Sequence, residues 1–86
     1  MSGVIIMEPS KKPLNILTRQ LNAHISIMLK NNFEYKGVMV HCDNFMNVIL
    51  NSAAEYNGDQ LLAKYGQAIV RGNNILYITL DASRIR

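Results

Sequence analysis

Apolar and polar residues alternate along most of this chain, which is the pattern of β-strands with one buried face. The first such segment covers residues 24–30, where Ile25, Ile27 and Leu29 occupy every second position. Two asparagines follow it and suit a tight turn. The pattern therefore predicts a half-buried strand that ends in a turn.

Four further segments of this kind follow, separated by polar turns such as Asn57-Gly58. They cover residues 33–42, 46–56, 60–70 and 75–80. Gly37 lies inside the first of these four, and a glycine there weakens a flat strand but permits a sharp bend or a bulge. The order predicts five strands in a small, strongly bent antiparallel barrel.

A helical period precedes the strands. Leu14, Leu17 and Leu21 are spaced for one face of a helix, and Pro13 suits its first position. A helix this short is not stable alone in water, so its leucine stripe must cover another element. We expect it to close one open end of the sheet.

With 86 residues the chain forms one small domain, whose core buries only about 60% of the surface of the extended chain. Domains this small are commonly stabilised by disulfides, a metal or self-association. Cys42 is the single cysteine, and with one neighbouring histidine it does not complete a four-ligand zinc site. Self-association remains, so we expect an oligomer.

The last two predicted strands suit such an association. A partly open barrel leaves unpaired edges, and residues 69–80 contain neither lysine nor proline to discourage pairing there. Pairing of the fourth strand of one copy with the fifth strand of the next is head-to-tail and can close into a ring. The alternative is that these apolar residues only fill the core.

Nine Lys and Arg residues against six Asp and Glu give a net charge of +3, spread along the chain without a basic block. The charge permits an anionic partner without identifying one. No apolar run approaches the ~20 residues needed to cross a bilayer, and the Val4–Met7 run lacks the preceding basic region of an export signal. We predict a cytoplasmic protein with no membrane partner, since a single cysteine suits a reducing compartment.

No constellation of residues predicts catalysis. His41 and Asp43 are two apart, which on a regular strand places them on one face and Cys42 on the other, so a Cys-His pair is not formed. The carboxylates are scattered over different segments, and the chain has neither a glycine-rich phosphate loop nor a serine nucleophile elbow. We therefore predict neither an enzyme nor a metal or other cofactor.

The most concentrated chemistry lies in residues 43–47, at the turn between the second and third predicted strands. Phe45 offers a flat stacking face, Asn47 a donor and an acceptor, and Arg71 at a second turn a planar guanidinium. Single-stranded RNA is recognised by such groups, through stacking and hydrogen bonds to an exposed base edge. The residues alone leave a plainer alternative open, with Phe45 in the core, Asn47 capping a turn and Arg71 on the surface.

Two motifs add a resemblance to a known family. The first is Gly37-x-Met39-x-x-x-Asp43-x-x-Met46-Asn47-x-x-Leu50, and the second is Ile69-Val70-Arg71-Gly72-Asn73-Asn74-Ile75. In this order and spacing they resemble the two Sm motifs of the Sm and Sm-like (LSm) RNA-binding proteins, above all the archaeal members.

The resemblance implies the Sm fold, an all-β fold in which a short N-terminal helix precedes a five-stranded, strongly bent SH3-like barrel. We expect a flexible N-terminal arm at residues 1–12, the Sm domain at residues 13–80 and a C-terminal tail at residues 81–86. The resemblance further implies a non-catalytic, homo-oligomeric ring of six or seven copies with one base pocket per protomer. Uridine-rich single-stranded RNA is the implied partner and RNA processing, with other processing proteins, the implied role.

The resemblance also assigns roles to the matching positions of the two turns. Phe45 is implied to stack on a base, Asn47 to recognise the uracil edge, and Arg71 to stack on the opposite side. Asp43 is implied to be a turn acceptor that positions Asn47. Gly72 is implied to supply the backbone conformation that brings Arg71 beside the tip.

Two positions depart from the family pattern. Many archaeal members carry His where this chain has Phe45, so we expect RNA affinity to change little between about pH 5.5 and 7.5. Asn73 stands where Asp is frequent, and an Asp there would accept from the Asn47 amide and fix its orientation. Because Asn73 can donate or accept, we expect a less firmly fixed Asn47 and a weaker preference for uracil over cytosine.

Two other functions remain open. One is a structural ring that binds protein partners through its helix side and N-terminal arm. The other is a bacterial Hfq-type RNA chaperone, which has the same barrel but a Tyr-Lys-His pattern in its second motif. The Arg71-Gly72 pair of this chain argues against the Hfq type.

Overall fold

The computed structural model describes residues 4–8 and 14–81, and most of these lie in strands. The elements in chain order are β1 Val4–Met7, α1 Leu14–Thr18, β2 His24–Leu29, β3 Phe33–Cys42, β4 Val48–Asn57, β5 Gln60–Val70, a 3-10 turn at Gly72–Asn74, and β6 Ile75–Asp81. The all-β prediction with one short helix is confirmed, and the five predicted strands are β2 to β6. The agreement follows from the period of two, by which a strand buries alternate side chains.

All strands form one antiparallel sheet in the order β1-β6-β2-β3-β4-β5. The pairing of β3 with β4 shifts register between Lys36 and Val38, which is a β-bulge whose extra residue lies on β4. Gly37 lies at this shift, and a Cβ there would approach the carbonyl oxygen of Asn51 to 2.9 Å. The sheet is therefore irregular at Gly37 as predicted, but the extra residue lies on the partner strand β4, and the missing side chain of Gly37 permits the close approach of that strand.

The buried faces of the strands and the helix share one core. Its large apolar side chains without exposed surface are Leu17, Ile27, Met39, Val48, Leu50 and Ile78. Leu17 of α1 thus covers the sheet as expected, but Leu21 is 38% exposed because the helix ends at Thr18. Pro13, the predicted first helical residue, lies outside the described residues. In the ranges that the structure describes, no helix is long and apolar enough to cross a membrane.

The segment expected to be a flexible arm contains a sixth strand. In the register of β1 with β6 the partners are Val4↔Asp81, Ile5↔Leu80, Ile6↔Thr79 and Met7↔Ile78. The side chain of Met7 belongs to the core, whereas that of Ile6 is 62% exposed. Because all four residues of β1 are apolar, the run has no alternation by which a half-buried strand can be recognised.

This strand changes which edges of the sheet are open. The apolar pattern predicts open edges at the last two strands, and β5 does lie at an edge. In contrast, β6 lies between β1 and β2 and is paired on both sides. The prediction of an open β6 edge is therefore wrong for residues 78–81, which pair with β1, whereas the preceding residues of β6 have no β1 partner.

Candidate functional site

The turn that joins β3 to β4 is folded around the carboxylate of Asp43. Its Oδ1 accepts hydrogen bonds from the backbone N–H groups of Phe45, at 2.8 Å, and Asn47, at 3.0 Å. Met46 adopts a positive φ of 63° and is buried in the core, which anchors the turn on the sheet. An acidic residue that accepts from the N–H two residues later is an Asx-turn, so the local sequence dictates this shape.

Phe45 projects from this turn with 80% of its surface exposed. The alternative that places Phe45 in the core is therefore wrong. Because the turn that carries it is fixed, the exposed ring of Phe45 is available for stacking.

The side chain of Asn47 has a partner at each end. Its Nδ2 donates to Asp43 Oδ2 at 3.1 Å, and its Oδ1 accepts from the backbone N–H of Gly72 at 2.9 Å. A carboxylate only accepts and a backbone N–H only donates, so the carboxamide has one satisfactory orientation. Asp43 thus positions Asn47, as the resemblance implies.

Gly72 permits the two turns to touch. A Cβ on Gly72 would overlap the carbonyl oxygen of Phe45 and come within 3.0 Å of the carbonyl carbon and Cβ of Met46. Its φ is not in the left-handed region. The expectation that Gly72 supplies a backbone conformation that brings Arg71 beside the tip is therefore changed: Gly72 allows a close approach of the two turns, and this approach lets its N–H reach Asn47.

Arg71 and Asn73 flank Gly72 on the second turn. Arg71 is extended and exposed, directly before the 3-10 turn, and Asn74 N–H donates to its carbonyl oxygen at 3.0 Å. Asn73 is exposed, and Asp43 and Gly72 already hold both polar atoms of Asn47. The expectation of a less firmly fixed Asn47 is therefore contradicted, since Asp43 and Gly72 hold its two polar atoms, while the effect of residue 73 on base preference stays a prediction.

The charge of Asp43 is stabilised where it stands. Partial burial raises its pKa, but the hydrogen bonds from Asn47 and Phe45 and the charge of His41 lower it by more, so the pKa lies below its ordinary value. The group is therefore an acceptor at all moderately acidic and neutral pH values. In the part of the chain that the structure describes, no group of three His, Cys, Asp or Glu side chains is placed to hold a metal.

Beside the second turn lies a cavity of about 390 Å³, lined by Leu29, Lys30, Asn31 and Asn74. The Lys30 N–H donates to the carbonyl oxygen of Asn74 at 2.9 Å and so ties the β2-β3 turn to the second turn. Sequence reasoning did not place Lys30 near the site. The signal was present in part, since the first and last predicted strands must be neighbours if a five-stranded barrel closes.

The arrangement leaves Asn47 with one amide hydrogen and one oxygen lone pair that its two partners do not use. Asn47 is half-buried, so part of its side chain faces solvent at the turn. A flat ring that presents a donor next to an acceptor matches it, with Phe45 and Arg71 available as flanking planar groups. The geometry therefore suits recognition of one heterocyclic base edge.

Comparisons with known proteins agree with this geometry. A family model described as the LSM domain matches residues 15–80. The chain is 38% identical over 71 residues to the U6 snRNA-associated Sm-like protein LSm6 of Ajellomyces capsulatus, which covers 83% of this chain and 89% of the relative.

Two solved structures share the fold. One is the Sm protein of Pyrococcus abyssi in complex with a uridine heptamer, with a TM-score of 0.75, 32% identity, and coverage of 77% of this chain and 93% of that one. The other is a heptameric archaeal Sm protein, with a TM-score of 0.67, 27% identity, and coverage of 72% and 90% respectively. The similarity therefore extends over nearly the whole length of these proteins.

Proposed function

This chain belongs to the Sm and Sm-like family of LSM-domain proteins, and from that premise we propose that it binds uridine-rich single-stranded RNA without catalysis. It acts as a ring of six or seven identical copies, and the heptameric neighbour favours seven. The observation that carries the proposal is the fixed orientation of Asn47 between Asp43 Oδ2 and the Gly72 N–H.

The remaining edge of Asn47 accounts for a preference for uracil. The N3–H of uracil donates to Asn47 Oδ1, and a neighbouring carbonyl oxygen of the base accepts from Nδ2. Cytosine held in the same position has an acceptor at N3 where uracil has a donor, so a lone pair of the base faces the lone pair of Asn47 Oδ1. Phe45 and Arg71 stack on the two faces of the same base.

Ring formation turns a weak pocket into a strong binder. Stacking of one base contributes about 1 to 3 kcal/mol, so one protomer holds RNA weakly. Several identical pockets on one strand act through effective concentration. The Pyrococcus abyssi protein, whose structure holds a uridine heptamer, supports such a tract as ligand. The role that follows is in RNA processing within ribonucleoprotein particles, in a reducing compartment such as the cytoplasm.

Asn47→Ala and Arg71→Ala test this proposal. Each should weaken binding of a fluorescent oligo-U by about 100-fold or more, because a contribution of roughly 1 to 3 kcal/mol is lost at several pockets at once. Native mass spectrometry should give the same ring size as for the native chain. Asn44→Ala is the matched control, since Asn44 is an exposed asparagine of the same turn, and it should leave the affinity unchanged.

Two outcomes would count against the proposal. Retained oligo-U binding by both variants would move the site away from these turns. A native ring that fails to bind oligo-U at all would favour the alternative of a structural ring that holds protein partners.

A further inference from the structure

The strand β6 is paired on both sides within one chain. β2 occupies one edge through pairs such as Ile27↔Ile78, and β1 occupies the other. In the ring predicted from the sequence, the fourth predicted strand of one copy, β5, pairs with the outer edge of the fifth, β6, in the next copy. We propose that β1 is an intramolecular cap on this assembly edge, which the β5 strand of a second copy displaces when the ring forms. This inference rests on the proposed ring.

The cap covers only part of the edge. β1 pairs with four residues of β6, from Ile78 to Asp81. The preceding part of β6 pairs with β2 on its inner side, at Met28↔Tyr77 and Leu29↔Ile75. On its outer side this part has no partner, because β1 does not extend to it. A second strand can therefore begin at this uncovered stretch, where Leu76 is 45% exposed, and then replace β1 one residue at a time.

The strand β5 has the length and the surface of the displacing partner. In the described part of the chain the sheet ends on β1 at one side and on β5 at the other. β5 has 11 residues against four in β1. Its apolar side chains Leu61, Leu62 and Ile69 are 45%, 42% and 69% exposed. An exposed apolar edge strand is prone to pair with another chain, and its greater length offers more backbone hydrogen bonds than β1 gives up.

The cap competes well in spite of its length because it belongs to the same chain. A tethered segment acts at an effective concentration in the millimolar range, whereas a second copy must reach that edge by diffusion. The buried side chain of Met7 adds a hydrophobic anchor. Assembly is therefore suppressed in dilute protein and proceeds as the concentration of β5 strands from other copies rises.

A reversible crosslink between β1 and β6 tests the cap. Ile6 and Thr79 are direct partners across the pair. Cα atoms of opposite residues in antiparallel strands are about 4.5 to 5.5 Å apart, within the range that a disulfide spans. The variant Ile6→Cys/Thr79→Cys is made in a Cys42→Ser background, which removes the free thiol of the native chain. Cys42→Ser alone, treated with the same oxidant, is the matched control.

Ring population is measured by native mass spectrometry over a concentration series, before and after reduction. The oxidised variant should require at least about tenfold more protein for half-assembly than the same sample after reduction, because the tethered cap can no longer leave. The control should not respond to oxidation. A chain that lacks residues 1–8 should assemble at a concentration at least about tenfold lower than the native chain. If this truncated chain folds poorly because it lacks Met7, the crosslinked variant still tests the cap, since it keeps Met7 in the core.

The outcomes separate this inference from the proposed ring. If the oxidised and reduced variants reach half-assembly at the same protein concentration, the cap proposal is wrong and the ring proposal stands. The same holds if the oxidised variant assembles at a lower concentration, which would mean that β1 forms part of the interface. Absence of rings in the native and truncated chains at every concentration would overturn the ring and the cap together.

Discussion

Two carboxamide side chains of this molecule are placed in opposite ways. Asn47 is half-buried, and Asp43 and the Gly72 N–H hold its two polar atoms. Gln20, in the turn after α1, has no exposed surface, and neither its Nε2 nor its Oε1 has a hydrogen-bond partner. Its backbone groups do have partners: the N–H donates to the carbonyl oxygen of Leu17, and the carbonyl oxygen accepts from the N–H of Ala23.

The difference shows what makes an amide useful for recognition. Asn47 uses one amide hydrogen and one oxygen lone pair in hydrogen bonds to the protein. These bonds fix the orientation of its second amide hydrogen and its second lone pair. Gln20 loses its hydration without receiving protein hydrogen bonds in return, which costs stability. A polar group prepared for a ligand is therefore one that is partly, rather than fully or not at all, satisfied within the protein.

Gly72→Ala should break the Asn47 arrangement most severely. The new Cβ overlaps the backbone oxygen of Phe45, so the two turns must separate and the hydrogen bond from residue 72 to Asn47 is lost. We expect the free energy of unfolding to fall by about 1 to 3 kcal/mol or more, with loss of oligo-U binding. Chemical denaturation and fluorescence binding measure the two effects.

Gly66→Ala is the matched control for that substitution. A Cβ at Gly66 meets nothing within 4 Å, and its φ is not in the left-handed region. Alanine in a strand interior should leave the stability unchanged or raise it by about 0.5 to 1 kcal/mol. An equal loss of stability in both variants would contradict the role of close approach at Gly72.

Asp43→Asn should reduce the selectivity of the site rather than abolish it. An amide at residue 43 places a donor against Asn47 Nδ2, and the reversed orientation of Asn47 would then oppose the Gly72 N–H. A well-formed bidentate contact contributes about 1 to 3 kcal/mol of base discrimination, so the ratio of oligo-U to oligo-C affinity should fall by about tenfold. Competition binding with the two oligonucleotides measures this ratio.

Asn73→Asp is the comparison that distinguishes the two orienting partners. Because Asn73 is exposed and does not hold Asn47, this change should leave the uracil preference as it is in the native chain. A higher preference in Asn73→Asp would restore the role for residue 73 that the sequence predicts.

The alternation of apolar and polar residues predicted the strands β2 to β6, because a strand with one buried face has an apolar residue at every second position. Gly37 also indicated the irregular pairing of β3 with β4. β1 shows no alternation, since its four residues are uniformly apolar, and its pairing depends on a strand more than seventy residues away. The helix extends only to Thr18, and the spacing of Leu21 alone could not indicate that end.

The candidate site also has a part that the sequence predicted and a part that it did not. Asp43 and Asn47 are four residues apart, so their contact is local, and the resemblance to the Sm motif implied it. The bond from Gly72 to Asn47 joins residues 25 apart and exists only because β4 and β5 bring the two turns together. The burial of Gln20 was not predicted either, because a glutamine is usually exposed, as Gln60 is.

Gln20→Met tests the difference between Gln20 and Asn47, because it removes the buried amide that has no hydrogen-bond partner. Methionine has a similar length and no strong donor or acceptor, so the cost of an unsatisfied buried group disappears. We expect the free energy of unfolding to rise by about 1 kcal/mol or more, with oligo-U affinity unchanged. The exposed Gln60 supplies the control Gln60→Met, which should stay within about 0.5 kcal/mol of the native chain. A loss of stability in Gln20→Met would mean that the amide is hydrogen-bonded in solution.

The smallest effect is expected from pH. Because the pKa of Asp43 is lower in the folded chain, its stabilisation is fully present above the ordinary value of about 3.9 and is lost only as the pH falls through the lowered value. Phe45 does not titrate, so oligo-U affinity should be nearly constant between about pH 5.5 and 7.5, the range in which a histidine changes charge. Affinity measured across that range, with His41→Gln as the comparison, checks this. A strong dependence that disappears in His41→Gln would show that His41, whose charge acts on Asp43, controls the site.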